Sequence, residues 1–136
     1  MEQKKSTAIF LWALRLLAAL IMLQTLYYKF SAADESVYIF TKLGLEPYGR
    51  IGIGVLELIA SILILIPRTT VYGAVLALGL MGGALMSHIT KLGIVVNNDS
   101  GQLFIYALLV FGASSVLLYF NRFQIINLLF KKNKVN

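Results

Sequence analysis

Four long apolar stretches, separated by short polar segments, set the pattern of the chain. A helix of about 20 apolar residues crosses a hydrocarbon core of about 30 Å, and each stretch is roughly that long. We therefore predict transmembrane helices at residues 7–30, 48–66, 70–90 and 102–121. Pro67 ends the second stretch because proline cannot continue a helix, and the short link makes the second and third helices antiparallel neighbours. The pattern predicts an all-α integral membrane four-helix bundle with up-down-up-down topology.

The segment from Ser31 to Pro47 differs from the four spans because it mixes acidic and apolar residues. Asp34 and Glu35 favour a helix start, since acidic side chains are stabilising at the positive end of the helix dipole. Gly44 is a typical helix stop. We predict a short interfacial helix here, between the first and second spans.

The last residues, 122–136, combine apolar side chains with a basic end. This composition is typical of a helix that lies in the membrane interface, and we predict a basic interfacial tail. The whole chain, residues 1–136, is expected to form a single transmembrane domain. The apolar run near the N-terminus is too long for a signal peptide, so we expect it to be retained as the first helix.

Composition agrees with a membrane protein: hydrophobic residues make up 59% and charged residues 13% of the chain. Soluble domains are usually nearer one quarter charged. The net charge of +6 does not indicate nucleic-acid binding, because the basic residues lie mostly at the ends of apolar runs. There is no cysteine, which excludes disulfides and thiolate metal sites.

The distribution of Lys and Arg predicts the orientation, since cytoplasmic loops carry more of them. Four spans place both termini on one side, which carries seven basic residues. The opposite side carries four basic residues offset by four acidic ones. We expect a multi-pass protein of the bacterial inner membrane with both termini in the cytoplasm. The basic residues of the terminal side are Lys4, Lys5, Arg68, Arg122, Lys131, Lys132 and Lys134.

Arg15 and Glu57 are charged residues within predicted spans, where an unpaired charge is costly. Counting the rise per residue from the ends of their helices places them about 12 Å and about 13 Å into the membrane. We therefore predict an intramembrane ion pair between Arg15 and Glu57. Such a pair can simply hold the helices in register, and this reading is favoured over a functional one.

Four polar residues are expected near the outward-facing end of the bundle: Lys29, Arg50, Glu57 and His88. We predict that they line one polar pocket, with Glu57 at its floor. The alternative is that Lys29 and Arg50 extend to the lipid headgroups and that His88 is a packing residue. One histidine does not make a metal site, and none is predicted.

Gly79, Gly83 and Ser87 recur at four-residue spacing in the third span and predict a helix-packing ridge. Packing within the bundle is the favoured reading, with docking of another membrane protein as the alternative. No nucleophile triad, phosphate-binding loop or dinucleotide fingerprint is present, so the catalytic residues are unknown.

Several segments resemble the DoxX and DoxX-like family of small four-helix membrane proteins. They are Leu14 to Leu17 with Tyr28 to Phe30, Gly52 to Leu58 with Leu65 to Arg68, Gly82 to His88, and Glu35 to Pro47. By position, Arg15, Lys29, Glu57 and His88 match the polar pattern of the family.

The resemblance implies a small membrane subunit associated with a quinone-linked oxidoreductase, because the namesake proteins are associated with a thiosulfate:quinone oxidoreductase. A quinone is then the expected ligand, with Lys29 and His88 donating to its oxygens and Glu57 accepting a proton. The alternative is a non-enzymatic scaffold, chaperone or assembly factor for other membrane proteins, as for distant eukaryotic relatives. The lack of cysteine argues against a dithiol mechanism.

Overall fold

A computed structural model describes residues 2–96 and 99–122. This part of the chain is helical and contains no strand. The elements are α1 (Glu2–Phe30), α2 (Asp34–Lys42), α3 (Tyr48–Leu65), a 3₁₀ turn (Pro67–Thr69), α4 (Thr70–Ser87), a π-helical turn (His88–Leu92) and α5 (Gln102–Phe120).

The four long helices, α1, α3, α4 and α5, are each long and apolar enough to cross a membrane. Helix α1 packs on α3 and α5, and α4 packs on the same two helices. Helices α1 and α4 are therefore diagonal in a four-helix bundle, which confirms the predicted fold class. We call the end where α1 begins and α5 ends the terminal end, and the opposite end, which carries α2, the α2 end.

Many of the side chains in the centre of the bundle are small, which allows the helices to approach closely, and Met22, Ile64 and Leu117 fill the remaining space. Gly73 shows how close α3 and α4 come, because a Cβ there would lie 2.6 Å from the backbone nitrogen of Ile64 and 2.8 Å from the carbonyl oxygen of Ala60. Large apolar side chains point outward, as expected for a surface covered by lipid. The buried small residues include Ala18, Ala60, Ala74, Ala77 and Ala113.

The link between α3 and α4 is held by two threonine hydroxyls. Thr69 Oγ1 donates to the carbonyl of Leu63, at 2.8 Å, and Thr70 Oγ1 lies 3.0 Å from the carbonyl oxygens of Ile64 and Ile66. These carbonyls are the ones that the end of α3 leaves without helical partners. The tight antiparallel connection predicted around Pro67 therefore has its polar groups satisfied.

The third predicted span does not continue as a regular α-helix to residue 90. It changes at His88 to a π-helical turn that ends at Gly93, where φ is +78°. Most of the predicted basic tail, residues 123–136, lies outside the described residues. Arg122 is described, and its guanidinium donates to the carbonyl of Tyr119 at 2.8 Å.

Candidate functional site

A buried ion pair joins α1 to α3 near the α2 end of the bundle. Lys29 Nζ lies 2.9 Å from Glu57 Oε2, and the two side chains are 14% and 5% exposed. Lys29 also donates to Thr25 Oγ1 at 3.3 Å. The Thr25 hydroxyl itself lies 2.8 Å from the carbonyl oxygen of Met22 and 3.4 Å from Glu57 Oε2, so its proton goes to Met22.

The predicted pair between Arg15 and Glu57 is therefore wrong, because Glu57 pairs with Lys29. Glu57 faces α1 at Thr25, which is ten residues, or about 15 Å of helix, beyond Arg15. Counting depth from the helix ends misaligned the two charges, since α1 has 29 residues and α3 has 18. The Arg15 guanidinium instead lies 4.8 Å from the centre of the Trp12 ring.

Arg50 is buried at the start of α3 but does not line the site, which corrects the predicted pocket. Its Nε donates to both carboxylate oxygens of Glu46, one helical turn earlier, at 2.9 and 3.0 Å. Its Nη1 donates to the carbonyl of Lys29. Arg50 thus connects the start of α3 to the end of α1. Its charge is neutralised by Glu46, four residues earlier in the chain.

Gly93, which follows the π-helical turn, makes two hydrogen bonds with His88, which begins the turn. The His88 carbonyl accepts a hydrogen bond from the Gly93 N–H at 2.7 Å, and His88 Nδ1 lies 2.9 Å from the Gly93 carbonyl oxygen. A carbonyl oxygen only accepts, so Nδ1 carries the proton. Nε2 of the neutral ring is consequently a hydrogen-bond acceptor. The ring makes a T-shaped contact with the ring of Phe104, with the two ring centres 5.6 Å apart.

A cavity of about 530 Å³ lies in this half of the bundle and brings Lys29, Glu57 and His88 to one space. That volume is in the range of small-molecule sites. Helix α2 forms part of its wall. The polar lining residues are Gln24, Thr25, Lys29, Glu35, Ser36, Glu57, Ser87, His88, Gln102 and Tyr106, and apolar ones include Met22, Phe40, Ile53, Leu80 and Leu103.

Two acceptors in the cavity wall have no hydrogen-bond partner among the described residues. They are Glu57 Oε1, since only Oε2 is engaged, and His88 Nε2. Lys29 uses two of its three donors, on Thr25 and Glu57. The site can therefore both accept and donate hydrogen bonds to a ligand that enters it, while apolar side chains hold the rest of that ligand.

The glycines of the predicted packing ridge line this cavity, so the expectation that the ridge packs against another helix of the bundle is wrong. A Cβ added at Gly79 or Gly83 would meet no atom of the described residues within 4 Å. The Ser87 hydroxyl donates to the Gly83 carbonyl at 2.9 Å. These small residues therefore leave room for the cavity on the face of α4.

Sequence reasoning missed the contribution of Thr25 and of α2. Thr25 and Lys29 are four residues apart, so they lie on one face of α1, and this spacing could have directed attention to Thr25. The α2 residues Ser36 and Phe40 are also four apart and line the cavity. No local signal in α2 shows that this short helix covers a cavity, because that depends on how the loop folds back on the bundle.

Asp99 organises the loop between the π-helical turn and α5. Its Oδ1 accepts hydrogen bonds from the N–H groups of Val96 at 3.0 Å and Gly101 at 2.8 Å, and Oδ2 accepts one from Leu103 at 3.3 Å. Burial raises the pKa of the Asp99 carboxyl, but these three donors and the nearby His88 outweigh burial and lower the pKa below its usual value. The described residues contain no cluster of three groups able to hold a metal ion.

Comparison with known proteins adds one finding. The model of the DoxX-like family matches residues 13–115, which include all three cavity residues Lys29, Glu57 and His88. No curated protein and no solved structure matches the chain. Because the match covers most of the chain, this protein belongs to the DoxX-like family, as the resemblance in its sequence indicated.

Proposed function

We propose that this DoxX-like membrane protein is a small subunit of a quinone-linked oxidoreductase and that its cavity binds the headgroup of a quinone. The observation that carries the proposal is the cavity itself, in which an apolar wall surrounds the Lys29–Glu57 pair and His88. A lipid-soluble ring with polar oxygens requires that combination of surfaces. The association with an oxidoreductase rests on the family alone, which is analogy.

In this proposal the three polar residues have different roles. Lys29 donates its third N–H to a ligand oxygen. Glu57 Oε1 accepts a proton or a hydrogen bond from the ligand. His88 accepts a hydrogen bond through Nε2 when the ring is neutral and donates one only when the ring is protonated, because Nδ1 is committed to Gly93.

The cavity faces outward in this proposal, with both chain termini in the cytoplasm of a bacterial cell. The support is the charge distribution, in which basic residues are concentrated at the terminal end. Because α2 residues line the cavity, the cavity lies toward the α2 end, and in this proposal its ligand exchanges on the outer side of the inner membrane.

A binding experiment tests the proposed function. The purified protein in mild detergent is titrated with a short-tailed quinone and observed by native mass spectrometry. We expect one saturable ligand per chain, and at least tenfold weaker binding in Gly83→Leu, which fills the cavity where a Cβ meets no atom. Gly112→Leu is the matched control, because a Cβ at Gly112 also meets no atom and Gly112 does not line the cavity.

The outcomes separate the two functional classes. Saturable binding that is lost in Gly83→Leu and in Glu57→Gln but kept in Gly112→Leu supports the quinone site. The proposal is contradicted if the protein binds no quinone and is isolated together with another membrane polypeptide, and if that polypeptide is still bound in Gly83→Leu. That result would favour the alternative of a scaffold or assembly factor, in which the polar residues of the cavity only hold the bundle together.

A further inference from the structure

Arg15 is a buried cation that has no counter-ion among the described residues, and it lies in the half of the bundle opposite to the cavity. Its residue is 8% exposed, and its Nε has no hydrogen-bond partner among the described residues. The only described contact of its guanidinium with a charged or aromatic group is the Trp12 ring, 4.8 Å away. A cation–π contact stabilises the charge but does not neutralise it.

Among the described residues, no carboxylate side chain pairs with Arg15. The chain has six acidic residues, and Glu46, Glu57 and Asp99 are engaged at the α2 end with Arg50, Lys29 and backbone N–H groups. Asp34 and Glu35 belong to α2, at the same far end. Glu2 lies 13 residues before Arg15 on the same helix, which is about 20 Å away. Residues 123–136 contain neither Asp nor Glu.

Arg15 is also at a depth where a free charge is costly. It lies 14 residues, or about 21 Å of helix, from Lys29. With one boundary of a hydrocarbon core of about 30 Å taken at Lys29, Arg15 is about 9 Å inside the other boundary. Arginine at such a depth extends toward the headgroups or binds an anion. Leu16 and Leu17, the next residues along the helix, are exposed, so lipid surrounds this part of α1.

Two further features of the terminal end suit an anion. Lys5, Arg68 and Arg122 are exposed there and give the end a positive rim. Ser114 Oγ is the other buried polar side-chain atom without a partner among the described residues. Ser114 precedes Phe120 by six residues and Arg15 follows Phe10 by five, and the two phenylalanine rings are in contact, with centres 6.2 Å apart. Both unpartnered groups therefore lie at a similar level along the antiparallel helices α1 and α5.

We propose that Arg15 binds the phosphate group of an anionic phospholipid at the terminal end of the bundle. The planar guanidinium fits two phosphate oxygens at once, and the positive rim concentrates anionic lipid near it. The acyl chains of that lipid lie along the exposed apolar side chains that flank Arg15 on α1. This site is separate from the cavity and does not depend on the proposed quinone binding.

The test measures lipid selectivity. The protein in mild detergent is mixed with equal amounts of phosphatidylglycerol and phosphatidylcholine, and the bound lipids are counted by native mass spectrometry. We expect one tightly bound phosphatidylglycerol per chain and about tenfold weaker binding in Arg15→Gln, the loss of a charge-assisted hydrogen bond. Lys91→Gln is the control, because it also removes one exposed charge but does so at the α2 end, away from the positive rim, and the affinity should change by less than about threefold.

Two more arms keep the test decisive. Arg15→Lys keeps the charge but lacks the planar fork, so it should fold and yet bind phosphatidylglycerol less tightly than the wild type. Inorganic phosphate, added in excess, should not displace the lipid; if it does, the ligand is a free phosphate and the lipid proposal is wrong. Equal losses in Arg15→Gln and Lys91→Gln, or no loss in Arg15→Gln and Arg15→Lys, would also overturn the proposal.

Discussion

Lys29 Nζ lies 2.9 Å from Glu57 Oε2, and this pair joins α1 to α3 in the wall of the cavity. Both side chains are more than four-fifths buried, so bulk water solvates neither charge well and each charge depends on its partner. The pair is thus a structural connection between two helices and, at the same time, a polar group that a ligand in the cavity would meet.

We expect removal of either partner alone to destabilise the bundle. Lys29→Met leaves the Glu57 charge buried and unpaired, and Glu57→Leu does the same to Lys29. Breaking a buried pair in this way costs about 3–5 kcal/mol in the free energy of unfolding. The double variant Lys29→Met/Glu57→Leu should cost clearly less than the sum of the single variants, because it leaves no unpaired charge.

The free energies of unfolding of the wild type, the two single variants and the double variant form a double-mutant cycle, which is measured in mixed detergent micelles. A second cycle, with Arg15→Met in place of Lys29→Met, is the comparison. If Arg15 and Glu57 were the true partners, Arg15→Met/Glu57→Leu would show the strong coupling and the Lys29 cycle would be additive. Such a result would contradict the ion pair described above.

The difference between the predicted and observed partner shows what sequence patterns can determine in this protein. Hydropathy predicts the four spans because each must be about 20 apolar residues long, and the structure confirms that bundle. The relative height of two charges depends instead on how far each helix extends and tilts. Since α1 continues well beyond α3 at the terminal end, counting from the ends placed Arg15 opposite Glu57.

The pocket residues were partly predictable for a related reason. Lys29 and His88 lie at the α2 end of their helices, so topology alone brings these two together. Glu57 lies midway along α3, and the packing of α3 on α1 is what brings it to Lys29. Arg50 lies at that end too, but Glu46, one turn earlier, holds it outside the cavity. The glycines of α4 were ambiguous, because a missing side chain allows either a close helix contact or an open space, and only the packing decides which.

We expect Gly93→Ala to disturb His88. Gly93 has φ of +78° and ψ of +168°, a conformation that residues with a Cβ rarely adopt, so alanine should cost about 1–3 kcal/mol in stability. The Gly93 backbone also fixes both the His88 carbonyl and Nδ1, so the imidazole NMR signals should shift. Gly112→Ala, in the exposed middle of α5, is the control and should leave both the stability and the histidine signals nearly unchanged. A Gly93→Ala protein with unaltered histidine signals would show that Gly93 does not position the ring.

The folding stability of the protein should fall at low pH because Asp99 becomes protonated. The pKa of its carboxyl is lowered in the folded protein, so the ionised form is the one that stabilises the loop before α5. This contribution is complete above the unfolded pKa, about 3.9, and is lost as the pH falls through the lower folded value. Melting temperatures measured from pH 6 down to pH 2.5 should decline more steeply in the wild type than in Asp99→Asn, which cannot ionise. Parallel declines in the two proteins would mean that another group causes the acid sensitivity.

Gly73 and Gly79 lie on the same helix, α4, and should respond oppositely to alanine. A Cβ at Gly73 would come within 2.8 Å of two backbone atoms of α3, which cannot move aside like a side-chain tip, so α3 and α4 must separate. Overpacking of this kind costs about 1–3 kcal/mol. A Cβ at Gly79 meets no atom within 4 Å, and alanine favours the helix by about 0.5–1 kcal/mol over glycine, so Gly79→Ala should be neutral or stabilising. Detergent unfolding of the two variants, made in the same background, compares them directly. Equal stability would mean that α3 and α4 are not in the close contact that Gly73 allows.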